Sequence, residues 1–243
     1  MNALWIAAVL ALSAGSSGQA GYVFECIGYH NTGAKCTKSW VPTIIAFGDS
    51  QSLGYSRLAR ENLFDHADYR HDDWGSDAGE PARPTRSYGR INDGTSVQLL
   101  QHMKDALQDR FYTAIVFNAG NHDSRVNRFG IPHVTLDVYR TEIEAASQLA
   151  KKHASVVIWV DTMPIPSGLP KNEGFVAGGE RPYNSIADEI AHAHGLYILH
   201  MKDAQHIPDN IHYTHAGSAD LAKQVADCVT AALSRQETET CRK

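Results

Sequence analysis

Short apolar runs alternate with helical stripes of hydrophobic residues along the chain. The runs, rich in β-branched and aromatic residues, lie at 43–47, 114–117, 156–160 and 196–199. Between and after them, apolar residues recur every three or four positions, at 53–63, 97–107, 136–152, 183–190 and 221–229. A further short strand is expected near 67–71. Apolar strands that alternate with amphipathic helices indicate βαβ units, so the pattern predicts an α/β fold with a parallel sheet of about five strands.

The first apolar run ends abruptly at Gly48-Asp49-Ser50, and a helical pattern then begins. A serine at such a junction has its hydroxyl at a helix N-terminus, where the unpaired N–H groups and the helix dipole favour a developing oxyanion. Asp and Ser are also ordinary N-cap residues, so this segment alone fits both a nucleophile and a cap. Ser52 is a weaker candidate nucleophile because it falls inside the predicted helix.

A second polar segment, Asp209-Asn210-Ile211-His212, precedes the last helical stripe. A carboxylate three residues before an imidazole can fold back to its Nδ1–H and leave Nε2 free for a serine. The same pattern also fits a polar loop with a helix cap. Because ligands bind beyond the carboxyl ends of parallel strands, Ser50, Asp209 and His212 are the candidate catalytic residues.

These segments together resemble the SGNH (GDSL-type) hydrolases. The resemblance rests on Gly48-Asp49-Ser50, Asn92-Asp93-Gly94-Thr95-Ser96, Gly120-Asn121-His122-Asp123, and Asp209-Asn210-Ile211-His212 followed by Gly217, and it runs from about Pro42 to Leu233. It implies a three-layer α/β/α, flavodoxin-like fold and a Ser–His–Asp esterase that works through an acyl-enzyme. Ser50 would be the nucleophile, His212 the base and then the acid, and Asp209 the group that orients His212.

The resemblance also implies an oxyanion hole made by the backbone N–H groups of Ser50 and Gly94 and one side chain of the third motif. That motif commonly reads Gly-x-Asn-Asp in the family, whereas His122 stands in the asparagine position here. His122 is the favoured donor, Asn121 the second choice, and Asn118 a further neighbour. Because His122 replaces the common asparagine, the sequence does not specify the branch of the family or the substrate.

The expected activity is hydrolysis of small acyl esters, most of all O-acetyl groups on carbohydrate. The loops at 65–90 and 163–182 carry aromatic and basic residues among polar ones, which favours a sugar over a fatty-acyl chain; these residues are Trp74, Arg83, Arg86 and Tyr88. Further candidate substrate contacts are Asp49, Asn118, Trp74 and His215. The alternatives are a lipolytic esterase or thioesterase of the same fold, and a non-catalytic carbohydrate-binding protein.

Composition excludes several other classes of function. The formal net charge is −5 and no basic run occurs, which argues against nucleic acid or an anionic membrane surface as a partner. No Gly-rich phosphate loop is present, and no spacing of the 13 histidines specifies a metal site. No cofactor or metal is therefore expected, and the sequence does not indicate an oligomeric state.

The N-terminal residues 1–20 have the character of a signal peptide, with cleavage expected after Ala20. The apolar run at 3–12 is too short to span a bilayer, and small residues follow it. A buried N-terminal helix is the alternative. A secreted or periplasmic protein without a membrane anchor is expected.

Four cysteines lie near the ends of the mature chain, at Cys26, Cys36, Cys228 and Cys241. In an oxidising compartment they predict two disulfides, and all three pairings are open. The expected organisation is an N-terminal extension at 21–40 that carries two of these cysteines, a hydrolase domain at 41–234 and a C-terminal tail at 235–243.

Overall fold

The computed structural model describes residues 41–71, 93–170, 173–208 and 210–243. The predicted signal peptide, Cys26, Cys36, the residues of the first long loop (Trp74, Arg83, Arg86 and Tyr88) and Asp209 lie outside the described residues.

The described strands form one sheet in the order β2-β1-β3-β4-β5-β6. The strands are β1 (Thr43–Phe47), β2 (Asp68–His71), β3 (Tyr112–Phe117), β4 (Ala154–Val160), β5 (Tyr197–Leu199) and β6 (Cys241–Arg242). The first five are parallel, which confirms the predicted α/β class, and β6 pairs antiparallel with β5. This sixth strand comes from the segment that was expected to be a C-terminal tail.

Five of the six described helices lie where the hydrophobic stripes predict them, and the sixth, a single turn at 121–124, has no such stripe in the sequence. They are α1 (Ser50–Asn62), α2 (Ser96–Leu107), α3 (Asn121–Ser124), α4 (Leu136–His153), α5 (Arg181–His194) and α6 (His215–Leu233). Local chemistry explains their starts: the Thr95 backbone N–H donates to the Gln98 side chain before α2, and the Thr214 hydroxyl accepts the Gly217 N–H at the start of α6. None of the described helices combines the length and hydrophobicity that crossing a bilayer requires.

The sheet separates two hydrophobic cores, and this arrangement confirms the three-layer fold. Ile45 and Phe47 of β1 face the core that α2, α4 and α5 cover, whereas Ile44 and Ala46 face the core under α1 and α6. Successive side chains of a strand point to opposite faces. A central strand covered on both faces is therefore apolar throughout, which is why these strands read as continuous hydrophobic runs.

A disulfide joins Cys228 of α6 to Cys241 of β6, with the two Cα atoms 5.3 Å apart. It is one of the pairings that the sequence left open. Cys241 is fully buried and lies opposite Leu199 in the β5–β6 ladder. The bridge therefore holds the C-terminal strand against both the sheet and the last helix.

Candidate functional site

Ser50 and His212 meet at the carboxyl edge of the sheet. Ser50 is the first residue of α1, directly after β1, and its Oγ lies 2.9 Å from Nε2 of His212. The side-chain amide of Gln51 donates to the backbone carbonyl of Ile211 at 3.0 Å, which ties the start of α1 to the loop that carries His212. The two residues that the motifs singled out are thus within hydrogen-bond distance.

The loop before α6 is braced along its own backbone. The Ile207 N–H donates to the carbonyl of His212 at 2.9 Å, and the Thr214 N–H donates to the carbonyl of Gln205 at 2.9 Å. At Gly217 a Cβ atom would lie 2.3 Å from that same Gln205 carbonyl, so a larger residue would push the first turn of α6 away from the loop. The glycine therefore allows the close packing that fixes the His212 backbone.

The Nδ1 atom of His212 contacts Asn210. The Asn210 Oδ1 lies 2.7 Å from Nδ1 and also accepts the backbone N–H of His212 at 2.9 Å. Because this atom accepts a backbone N–H, it is the amide oxygen, so it can only accept from Nδ1 as well. Nδ1 is then protonated, and Nε2 is left as an acceptor that faces the Ser50 hydroxyl.

Asn210 is a contact that sequence reasoning missed. The expected partner of His212 was Asp209, which lies outside the described residues. An asparagine side chain commonly accepts the backbone N–H of the residue two positions later, and this local signal could have indicated Asn210.

The second motif is held against the Ser50 turn through Asp93. Asp93 accepts the Gly48 N–H through Oδ2 and contacts His102 Nδ1 through Oδ1, while its own N–H donates to the Gly48 carbonyl at 3.1 Å. Gly94 follows with a φ of +62°, and a Cβ there would lie 2.3 Å from the Gln98 amide oxygen. This two-way connection brings the Gly94 backbone next to the turn that carries Ser50.

The third motif is anchored by Asp123, which is fully buried. Its carboxylate accepts the Ser96 N–H at 2.9 Å and the Ser96 hydroxyl at 2.6 Å. Burial raises the pKa of Asp123 to about 6, and the hydrogen bonds from Ser96 oppose this effect. On its other side, the Thr162 hydroxyl donates to the Ala119 carbonyl at 2.8 Å. The motif is therefore fixed to both α2 and the end of β4.

His122 and Asn121 differ in their access to a substrate. Asn121 is fully buried, whereas His122 is half-buried and packs edge-on against Phe175, with ring centroids 6.5 Å apart. The guanidinium of Arg125 lies over the same Phe175 ring at 4.9 Å. Burial lowers the pKa of His122, and the Asp49 carboxylate opposes that shift. A neutral imidazole keeps one N–H to donate, so this arrangement favours His122 over Asn121 as a donor.

The remaining candidates divide into buried supports and surface residues. Asp49 is buried and caps α1 by accepting the Gln51 N–H at 2.9 Å, and burial raises its pKa. Asn118 is buried with its amide oxygen against Gly48, where an added Cβ would clash. His215 is an exposed residue in the first turn of α6. Asp49 and Asn118 therefore lie within the turns of the site, and a contact of either with a substrate stays a prediction.

The alternative nucleophile, Ser52, is placed unfavourably for attack on a substrate. It is buried inside α1, and its hydroxyl donates to the Asp49 carbonyl at 2.7 Å. The same oxygen lies 2.9 Å from His71 Nε2. Since its hydroxyl is engaged within the protein interior, Ser52 is not placed to attack a substrate.

No protein-family model matches the sequence, and no curated protein matches it significantly. Solved structures share its fold. A GDSL-like lipase from Bacteroides thetaiotaomicron is 17% identical, with a TM-score of 0.55, over 80% of this chain and 88% of that one. An acetyl xylan esterase is 16% identical, with a TM-score of 0.58, over 77% and 99%.

A carbohydrate acetylesterase from Sinorhizobium meliloti is 16% identical to this chain, with a TM-score of 0.50, over 78% of this chain and 99% of that one. These likenesses span nearly the whole of each solved chain. At this level of identity, they show a common fold and leave the chemistry to be argued from the side chains.

Proposed function

We propose that this chain, which has the fold of the SGNH hydrolases, is a serine esterase that removes small acyl groups. The observation that carries the proposal is the 2.9 Å contact between Ser50 Oγ and His212 Nε2 at the N-terminus of α1. A serine with an acceptor nitrogen at this distance has the arrangement that nucleophilic catalysis requires. The nearby N–H groups of the helix start favour the negative charge that develops on the substrate.

In the proposed reaction Ser50 Oγ attacks the ester carbonyl carbon while His212 Nε2 takes the hydroxyl proton. The tetrahedral intermediate collapses as the imidazolium gives that proton to the leaving alkoxide, so the alcohol departs and an acyl-serine remains. Water then attacks the acyl-serine with His212 again as base. The carboxylic acid is released and Ser50 recovers its proton.

His212 works in this scheme only if Nδ1 keeps its proton. The Asn210 amide oxygen supports that tautomer at 2.7 Å. Asp209, the orienting residue that the family resemblance implies, is the second proposed partner. A carboxylate stabilises the imidazolium more than a neutral amide does, so the two residues make different predictions for activity.

The proposed oxyanion hole consists of the Ser50 and Gly94 backbone N–H groups and the His122 side chain. The Asp93–Gly48 connection supports the position of Gly94, and the Asp123–Ser96 contacts support that of His122. Each of these supports is buried, so the donors are held in place before a substrate arrives.

The proposed substrates are O-acetyl groups on carbohydrate. Two structural neighbours are described as an acetyl xylan esterase and a carbohydrate acetylesterase, and the loop at 163–182, which supplies Phe175, contacts the third motif. Export by the predicted signal peptide agrees with the Cys228–Cys241 disulfide and with an extracellular polymer as substrate.

A lipolytic esterase is the second candidate, because a shallow apolar groove lies next to the third motif. The groove has a volume of about 420 Å³, and its lining includes Ser124, Val126, Pro132, Leu136 and Val176. Nearby, Phe129 is 70% exposed and Ile131 is 55% exposed. An apolar surface of this kind suits an acyl chain longer than acetate.

Hydrolysis of p-nitrophenyl esters from acetate to decanoate, beside acetate release from acetylated xylan, separates the candidates. The acetylesterase is expected to lose kcat/KM steeply beyond short chains. The lipolytic enzyme would be favoured if kcat/KM rises with acyl-chain length. In that case Val176→Asp should abolish the rise and leave the hydrolysis of the acetate ester unchanged. Binding of glycans without release of any acyl group would favour the non-catalytic carbohydrate-binding protein.

A further inference from the structure

Three side chains that commonly bind metals meet on the sheet edge beyond β4 and β5. Asp161 is the first residue after β4, His200 is the first after β5, and Asp188 comes from α5. One ligand atom from each lies within 4.8 Å of the other two. Because β4 and β5 are hydrogen-bonded neighbours, Asp161 and His200, the residues that follow them, lie side by side. The helix α5 supplies the third side chain, Asp188.

Asp161 is held firmly at the centre of this cluster. Its Oδ1 accepts the indole N–H of the buried Trp159 at 3.1 Å, and its Oδ2 lies 2.6 Å from His200 Nδ1. Its backbone N–H donates to the Leu199 carbonyl at 3.1 Å. The Trp159 indole and the Leu199 carbonyl therefore orient Asp161, as residues outside the ligand set orient the ligands of protein metal sites.

Asp188 brings a second carboxylate to the same place. Its Oδ1 is buried, and no hydrogen-bond donor contacts that atom among the residues that the structure describes. Two carboxylates that face each other at a partly buried site repel unless a proton, a cationic neighbour such as His200 or a metal ion offsets their charge. A cation shared by Asp161 and Asp188 would relieve this repulsion and use the buried oxygen.

We propose that Asp161, Asp188 and His200 form a binding site for a divalent transition-metal ion, with Zn²⁺ as the probe. One imidazole nitrogen and two carboxylate oxygens are a donor set that Zn²⁺ accepts, with the remaining position left to water. Ca²⁺ and Mg²⁺ prefer oxygen ligands alone, so the nitrogen of His200 discriminates against them. The His200 side chain is 46% exposed, which gives an ion a path from solvent.

The bound ion would join three elements, β4, β5 and α5, at one edge of the sheet. It would bind the folded chain and not the unfolded one, because the three ligands are brought together only by the fold. The site lies outside the Ser50–His212 pair, so this proposal stands or fails independently of the esterase activity.

The test measures Zn²⁺ binding by calorimetry and by thermal unfolding, on the full protein after treatment with a chelator and without reductant. We expect one high-affinity Zn²⁺ per chain and a rise of about 5–10 °C in Tm at a hundredfold excess over the Kd. Asp188→Asn and His200→Ala should each lower the Zn²⁺ affinity at least tenfold. His194→Ala is the matched control, because His194 Nε2 also contacts a single carboxylate, Glu144, at 2.6 Å.

The proposal is overturned if Zn²⁺ does not bind, if Asp188→Asn and His200→Ala leave the affinity unchanged, or if His194→Ala lowers it equally. Tighter binding of Ca²⁺ or Mg²⁺ than of Zn²⁺ would also contradict the nitrogen ligand. In chelator, Asp188→Asn is expected to melt no lower than the wild type, since it removes a carboxylate repulsion. Should that variant not fold, His200→Ala decides, because His200 is partly exposed.

Discussion

Ser50 Oγ and His212 Nε2 lie 2.9 Å apart although 162 positions separate them in the chain. Ser50 is fixed by the start of α1, and His212 by a loop whose backbone is bonded at both ends. The Gln51 amide connects the two segments directly. The candidate nucleophile and base are thus held by different parts of the fold, and the Gln51 side chain fixes the position of one part relative to the other.

The first prediction concerns the side-chain donor of the oxyanion hole. We expect His122→Ala to lower kcat by about 10²–10³, the usual cost of one lost donor, with a smaller change in KM. His122→Asn, which keeps an N–H donor, should recover part of that loss. Steady-state kinetics on p-nitrophenyl acetate measure both, and an unchanged kcat in His122→Ala would remove His122 from the oxyanion hole.

The second prediction separates Asn210 from Asp209 as the partner of His212. If Asn210 holds Nδ1, Asn210→Ala should lower kcat at least about tenfold, because the imidazole loses its orientation, and Asp209→Asn should cost less. Near-normal kcat in Asn210→Ala, with a loss of about 10⁴ in Asp209→Asn, would assign the orienting role to Asp209.

The third prediction follows from the buried Asp123. Its pKa in the folded protein, about 6, exceeds the ordinary value of 3.8, so protonation favours the folded state. The stability that Asp123 contributes is fully present below pH 3.8 and is lost as the pH rises through about 6. The free energy of unfolding of the wild type relative to Asp123→Asn should therefore fall by up to about 3 kcal/mol between pH 4 and pH 7. Urea unfolding at each pH measures this difference, and a constant difference would contradict the prediction.

The fourth prediction concerns the disulfide that closes the C-terminal segment. The bridge spans 13 positions, and a loop of about 15 residues corresponds to about 3 kcal/mol of chain entropy. The double variant Cys228→Ala/Cys241→Ala should lose about 2–4 kcal/mol of unfolding free energy in urea. In the sheet, β6 is separated from β1, which precedes Ser50, by three strands. The kcat of the double variant should therefore stay close to that of the wild type. A variant as stable as the wild type would mean that packing alone holds β6.

Most of the fold could be predicted from the sequence, because the central strands are buried on both faces and the helices carry regular apolar stripes. The strand β6 could not be predicted, since two residues carry no periodic signal and Cys241 depends on a tertiary bridge to Cys228. The pairing of the cysteines likewise depends on where the last helix packs.

The candidate site was predictable where its residues lie in local motifs, as Ser50 and His212 do. The support of the Ser50 turn by Asp93 and the contact between Asn210 and His212 depend on side-chain orientation in loops, which no spacing rule specifies. The cluster of Asp161, Asp188 and His200 draws on three separate elements, so only the folded chain brings it together.

The measurement that tests the central claim most directly compares acetate release by the wild type and by Ser50→Ala on acetylated xylan and on p-nitrophenyl acetate. Circular dichroism and Tm confirm that the variant is folded, and Ser52→Ala serves as the control for a buried neighbouring hydroxyl. We predict that Ser50→Ala loses at least about a thousandfold in turnover, whereas Ser52→Ala keeps most of it. Equal release by the wild type and Ser50→Ala would mean that Ser50 is only the first residue of α1 and that its contact with His212 is not catalytic.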